Sequence, residues 1–152
     1  MSAITDYLRT IRDIHRGQAA TEHSYRGALA ALIEAVGSGV VATNEPKHRS
    51  DCGAPDMSVT DGHGPEALKI GYLECKDIGA PLDEIEKNEQ LTRYRENLPN
   101  LILTDYLEFR WYVEGERRMA ATLAHHADGK LVAEPDGEER LADLLSCFLQ
   151  RR

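Results

Sequence analysis

Pro-Asp-Met-Ser-Val-Thr-Asp-Gly-His-Gly-Pro-Glu-Ala-Leu-Lys-Ile-Gly-Tyr-Leu-Glu-Cys-Lys, residues 55–76, reads as a β-hairpin that gathers three charged groups, Asp56, Glu74 and Lys76, at one spot. Gly62, Gly64 and Pro65 supply the turn, and both flanks alternate apolar with polar residues as half-buried strands do. Directly opposed residues of an antiparallel pair point to the same face. Pairing Asp56 with Glu74 in a bulge-free ladder centres the turn on Pro65, inside the Gly/Pro cluster. That register places Met57, Val59, Leu73 and Cys75 on a core face, and Ser58, Tyr72, Glu74 and Lys76 on the other.

Two carboxylates this close repel, and each raises the other's pKa unless a cation lies between them. A hard divalent ion held by carboxylates, a main-chain carbonyl and waters meets that need, and Mg²⁺ is the natural occupant. Lys76, two residues beyond Glu74, projects from the same face toward a bound water or phosphate. The bland reading is a surface salt bridge between Glu74 and Lys76; Pro55-Asp56, one hairpin length upstream, speaks against it.

Pro55-Asp56 with Glu74-Cys75-Lys76 resembles the motif of the PD-(D/E)xK nuclease superfamily, and Gln90-Leu91-Thr92-Arg93-Tyr94 resembles the Gln-x-x-x-Tyr signature of its RecB-type branch. Thr21-Glu22-His23-Ser24-Tyr25-Arg26, Leu101-Ile102-Leu103-Thr104-Asp105 and Leu107-Glu108-Phe109-Arg110-Trp111-Tyr112 extend the match. From about Thr21 to Gly115 the motif order is similar to the N-terminal nuclease domain of single-chain type I (type ISP) and related restriction-modification enzymes.

The resemblance implies an α/β, restriction-endonuclease-like core, α-β-β-β-α-β, with a central mixed sheet flanked by helices and followed by a C-terminal β-hairpin and helix. It implies a DNA endonuclease dependent on Mg²⁺, with Mn²⁺ able to substitute, acting on double-stranded DNA. Asp56, Glu74 and the backbone carbonyl of Cys75 would hold the ion. Lys76 would orient the attacking water, Gln90 and Tyr94 would position substrate, and Glu22 would be an outer carboxylate. Covalently linked ATPase/helicase and methyltransferase domains are the expected partners, making residues 1–152 one nuclease domain of a longer multidomain protein. Two rivals stand beside this: a stand-alone nuclease of repair or phage type, and a non-catalytic interaction domain retaining the fold.

The composition agrees with a single domain, because 152 residues suffice to bury roughly 68–70% of the unfolded surface in one core. No apolar run reaches membrane-spanning length and no signal peptide opens the chain, so the expectation is a cytoplasmic protein without a membrane partner. Cys52, Cys75 and Cys147 form no disulfide or thiolate-metal pattern, and His48, Cys52 and His63 match no common zinc spacing. The net charge of −8 is unfavourable for unaided DNA binding, with eleven Asp/Glu against five Lys/Arg in residues 51–100. Companion domains are therefore expected to deliver the DNA. Lys47 and Arg49, flanking His48 in the most basic stretch, either meet backbone phosphate or form a solvated connection.

The remaining elements follow from periodicity. Helices are expected over about Ser2–His15, then from an N-cap at Thr21 along a stripe of Tyr25, Leu29, Leu32 and Val36. Glu22 in that first turn also suits the helix dipole whatever its function. A strand over Gly39–Asn44 precedes the hairpin, and one helix is expected from Leu82 to Asn97, with Gln90 and Tyr94 on one face. Tyr94 either joins Leu91 and Leu98 in the core while Gln90 faces solvent, or both face the site. Leu101–Thr104 should pair parallel with the hairpin's second strand. Alternation over Leu107–Val113 leads through a turn toward Met119–His125, and a last helix is expected over Glu138–Arg151.

Overall fold

A computed structural model describes residues 2–17, 22–45 and 54–150, and in α2 the side chains from residue 24 onward. Helix α1 (Ala3–Arg16) is capped by Ser2, whose side chain accepts the Thr5 N–H, and α2 spans Glu22–Val36. Strands β1 (Val40–Asn44), β2 (Met57–Asp61) and β3 (Leu68–Cys75) run antiparallel in turn. Two short helices, α3 (Leu82–Ile85) and α4 (Glu89–Asn97), lead to β4 (Asn100–Thr104), which lies parallel to β3. Strands β5 (Glu108–Val113) and β6 (Glu116–Thr122) complete a six-stranded mixed sheet in sequence order. A separate hairpin, β7 (Ala124–Ala127) and β8 (Lys130–Ala133), precedes α5 (Gly137–Leu149).

The α/β architecture expected from the sequence is therefore present, with four local corrections. The expected helix over Leu82–Asn97 is broken: the Asn88 side chain accepts the Leu91 N–H and starts a second helix, as an Asn at an N-cap favours. The β2–β3 ladder carries a bulge, with Val59 opposite Gly71 but Thr60 opposite Lys69, leaving Ile70 as the extra residue. Beside it close packing requires Gly71, because a Cβ there would lie 2.7 Å from the Asn100 carbonyl oxygen and 2.7 Å from the Phe148 ring. Residues around Gly129, between the expected Met119–His125 segment and the last helix, form the β7–β8 hairpin, with Asp128 and Gly129 both at positive φ. The buried stripe of α2 is Arg26, Leu29, Leu32 and Ile33, while Val36 is exposed.

The sheet separates two cores. Met57, Val59, Leu73 and Cys75 join the larger one with residues of α1, α2 and α5, as their alternation predicts. On the opposite face Leu82, Leu91 and Tyr94 pack with Leu101, Leu103 and Tyr112, and Tyr72 lies against them. Buried Arg110 on β5 pins α3 to that face through Asp83 at 2.7 Å and Glu86 at 3.4 Å. The Tyr112 hydroxyl donates to Glu86 at 2.6 Å. These contacts place the start of α4 beside the end of β3.

Among the described residues no helix is long and apolar enough to cross a membrane. Cys75 and Cys147 are free thiols. Thr21, Lys47, His48, Arg49, Cys52 and the end of the last expected helix lie outside the described residues.

Candidate active site

Asp56 enters the sheet immediately after Pro55, which has no N–H to continue the ladder upstream. Its own N–H donates to Glu74 Oε1 at 3.1 Å, and its carbonyl accepts the Glu45 N–H at 2.9 Å. The sequence-derived pairing of Asp56 with Glu74 continues the observed register, in which Met57 opposes Leu73. The bulge lies beyond Val59, on the turn side, and leaves this end of the hairpin aligned.

Both carboxylates are buried, with Asp56 3% and Glu74 4% exposed. Burial of charge is tolerated only with pairing and hydrogen bonds, and each group has them. Asp56 Oδ1 accepts from Arg26 Nη2 at 2.8 Å, and Oδ2 accepts the Cys75 N–H at 2.8 Å. Lys76 Nζ lies 3.1 Å from Glu74 Oε2 and donates to Gln90 Oε1 at 3.3 Å. Gln90, in the first turn of α4, is thus brought to the carboxylates through Lys76. Glu74 and Gln90 engage two of the three ammonium donors, leaving the third for a ligand among the described groups.

Tyr94, one turn further along α4, is buried and donates its hydroxyl to the Ala54 carbonyl at 3.0 Å. The Tyr94 ring belongs to the core, and its hydroxyl ties down the segment that delivers Asp56. Glu22 begins α2, one turn before Arg26, but its side chain is outside the described residues. Lys47 and Arg49 are outside them as well.

Arg26 is the site residue that the sequence reading did not single out. The available signal was a cation on the buried side of an amphipathic helix, one turn after Glu22. A neighbouring turn braces the same corner: Asp105 accepts the Leu107 and Glu108 N–H groups at 3.1 and 2.8 Å, and the Gly79 N–H at 3.3 Å. Within it Tyr106 has φ 75°, a left-handed conformation rare for a bulky residue. Its ring stacks on Tyr25, and its carbonyl accepts the Tyr7 hydroxyl at 2.7 Å.

Burial, then the charge of Asp56, pushes the Glu74 carboxyl up to about 7, against the lowering influence of Lys76. Burial likewise pushes the Cys75 thiol well up, so the side chain stays protonated and only its main chain faces the chemistry. In a strand a residue's N–H and C=O lie on one edge, so the Cys75 carbonyl shares the edge whose N–H binds Asp56. Two carboxylates and a carbonyl are hard oxygen donors suited to Mg²⁺ or Mn²⁺. Among the described residues no group of three His, Cys, Asp or Glu gathers to hold a metal. Waters and substrate oxygens would therefore complete the shell.

The Glu74 shift has a testable sign. In the metal-free protein the folded carboxyl keeps a proton that the unfolded chain releases near the ordinary 4.5. Its stabilising contribution is complete below that value and is lost as pH rises through about 7. Relative to Glu74→Gln, the parent should lose on the order of 3 kcal/mol between acid and mildly alkaline pH. Chemical denaturation of both proteins across that range checks this; a constant difference would contradict it.

No protein-family model matches the chain, and no curated protein matches it. Among solved structures, a cryo-EM structure of a DrdV–DNA complex superimposes with a TM-score of 0.72 over 99% of this chain at 23% sequence identity. The chain spans 14% of the length of that chain. This likeness supports the restriction-endonuclease-like fold: a central mixed sheet flanked by helices, with a C-terminal hairpin and helix.

Proposed function

We propose that this chain is a Mg²⁺-dependent DNA endonuclease module of the RecB-type branch of the PD-(D/E)xK superfamily, acting on double-stranded DNA as the cleavage part of a restriction-modification enzyme. The observation that carries the reading is the convergence of buried Asp56 and Glu74 with partly exposed Lys76 and Gln90 in one corner. The structural neighbour, solved as a complex with DNA, supports it.

Asp56, Glu74 and the Cys75 carbonyl would hold the metal, which when bound polarises a water and offsets charge on the scissile phosphate. Lys76 supplies a donor that Glu74 and Gln90 aim, so its ammonium meets the attacking water or the developing charge without reorganising. Gln90 positions Lys76 and substrate, and Tyr94 holds the Ala54–Asp56 segment in place. Glu22 would add an outer carboxylate, with Lys47 and Arg49 meeting the DNA backbone. Arg26 and Lys76 already balance the two carboxylates, so a divalent cation gains most when a phosphate enters with it. Linked ATPase/helicase and methyltransferase domains belong to the same reading, since an acidic chain needs help to hold DNA.

The test is plasmid cleavage by the chain fused to a sequence-neutral DNA-binding module. Nicked or linear product is expected with Mg²⁺ or Mn²⁺ and none with a chelator. Intact plasmid under both metals, with the fusion bound, would overturn the reading.

A further inference from the structure

The last turns of α1 and the β7–β8 hairpin enclose a cavity of about 250 Å³. Its walls are Arg12, His15, Arg16, Gly129, Lys130 and Leu131, none of them acidic. In a chain of net charge −8, this is a local inversion of sign. A helix's negative end draws cations to its last turn, which accounts for His15 and Arg16. It does not account for Lys130, which comes from the other wall. Nor does it account for Arg12, whose Nε donates to the Leu131 carbonyl at 3.2 Å and so fixes the guanidinium in the cavity wall. The His15 ring also meets His126 of the hairpin edge-on, with centroids 5.2 Å apart. Two elements distant in sequence thus converge cationic groups on one opening.

We propose that this cavity binds a backbone phosphate of duplex DNA, away from the carboxylate corner. Guanidinium and ammonium donors around an opening of this size match a phosphodiester, and neutralised phosphates supply the sequence-independent part of DNA affinity. The two elements that wall the cavity are each anchored at the carboxylate end of the sheet. Tyr7 of α1 bonds the Tyr106 carbonyl just past the end of β4, and the Leu123 N–H before β7 bonds the Leu107 carbonyl at 2.7 Å. The proposal rests on the nuclease reading only in taking DNA as the ligand.

The test is a titration of the ¹⁵N-labelled chain with a short duplex at low salt, without metal, followed by amide shifts. Resonances of His15–Gly17 and Gly129–Leu131 should move on one saturating curve. In the Arg16→Gln/Lys130→Gln variant, whose replaced residues are exposed, that response should be lost. The slope of log affinity against log salt should fall by about 1, the loss of one phosphate contact. A Lys87→Gln/Arg118→Gln variant with the same charge change should keep the response. Three results would each overturn the proposal: duplex-induced shifts confined elsewhere or absent, equal weakening by the control variant, or inorganic phosphate saturating the same amides at concentrations no higher than the duplex. Because no metal is present, a successful titration with failed plasmid cleavage would leave a DNA-binding chain without nuclease activity. The converse would leave the nuclease reading intact and remove this subsite.

Discussion

Arg26→Ala is expected to be the most destabilising single change at the site, costing about 3–5 kcal/mol, the range for removing one member of a buried ion pair. Arg26 and Asp56 side chains are only 9% and 4% exposed, so water cannot replace the guanidinium. Asp56 then keeps the Cys75 N–H but faces Glu74 without its cation. Urea denaturation should show the loss, and added Mg²⁺ should restore more stability to the variant than to the parent, because the ion then meets uncompensated carboxylates. The Arg26→Ala/Asp56→Asn double variant should be less unstable than additivity requires. A cost below about 1 kcal/mol, the scale of a solvated pair, would show that Arg26 does not compensate Asp56.

The hairpin was legible because its determinants are local: alternation decides which face each residue takes, and the Gly/Pro cluster decides where the chain reverses. The pairing at Asp56 survives the bulge because the extra residue, Ile70, lies between the site and the turn. The need for Gly71 beside the bulge comes from Asn100 and Phe148, contacts invisible in a stretch read alone. Arg26 was hidden for the same reason, since its partner lies thirty residues away and reaches it only when α2 packs on the sheet. For Tyr94 the core alternative describes the ring, which is buried, while the hydroxyl bonds the Ala54 carbonyl two residues before Asp56. Gln90 required knowing that α4 is capped by Asn88 and starts beside β3, a position secured by the Arg110 and Tyr112 contacts to α3 and its end.

Lys76→Ala is expected to produce the largest functional loss, about 10²–10³ in the cleavage rate, the scale for deleting one preorganised donor to developing charge. Stability should change little. Lys76 is a quarter exposed, and Glu74, already pushed up to about 7, can take a proton when its partner is removed. A residue acting only through a salt bridge would show the opposite balance, a modest stability change and unaltered phosphodiester chemistry. The two accounts therefore part on a single comparison, the rate of plasmid cleavage under saturating Mg²⁺ by the fused parent and by the fused Lys76→Ala variant, each shown to melt at nearly the same temperature. A hundredfold or greater loss in the variant is the predicted result; cutting at the parental rate would contradict the assignment of this corner as the catalytic site.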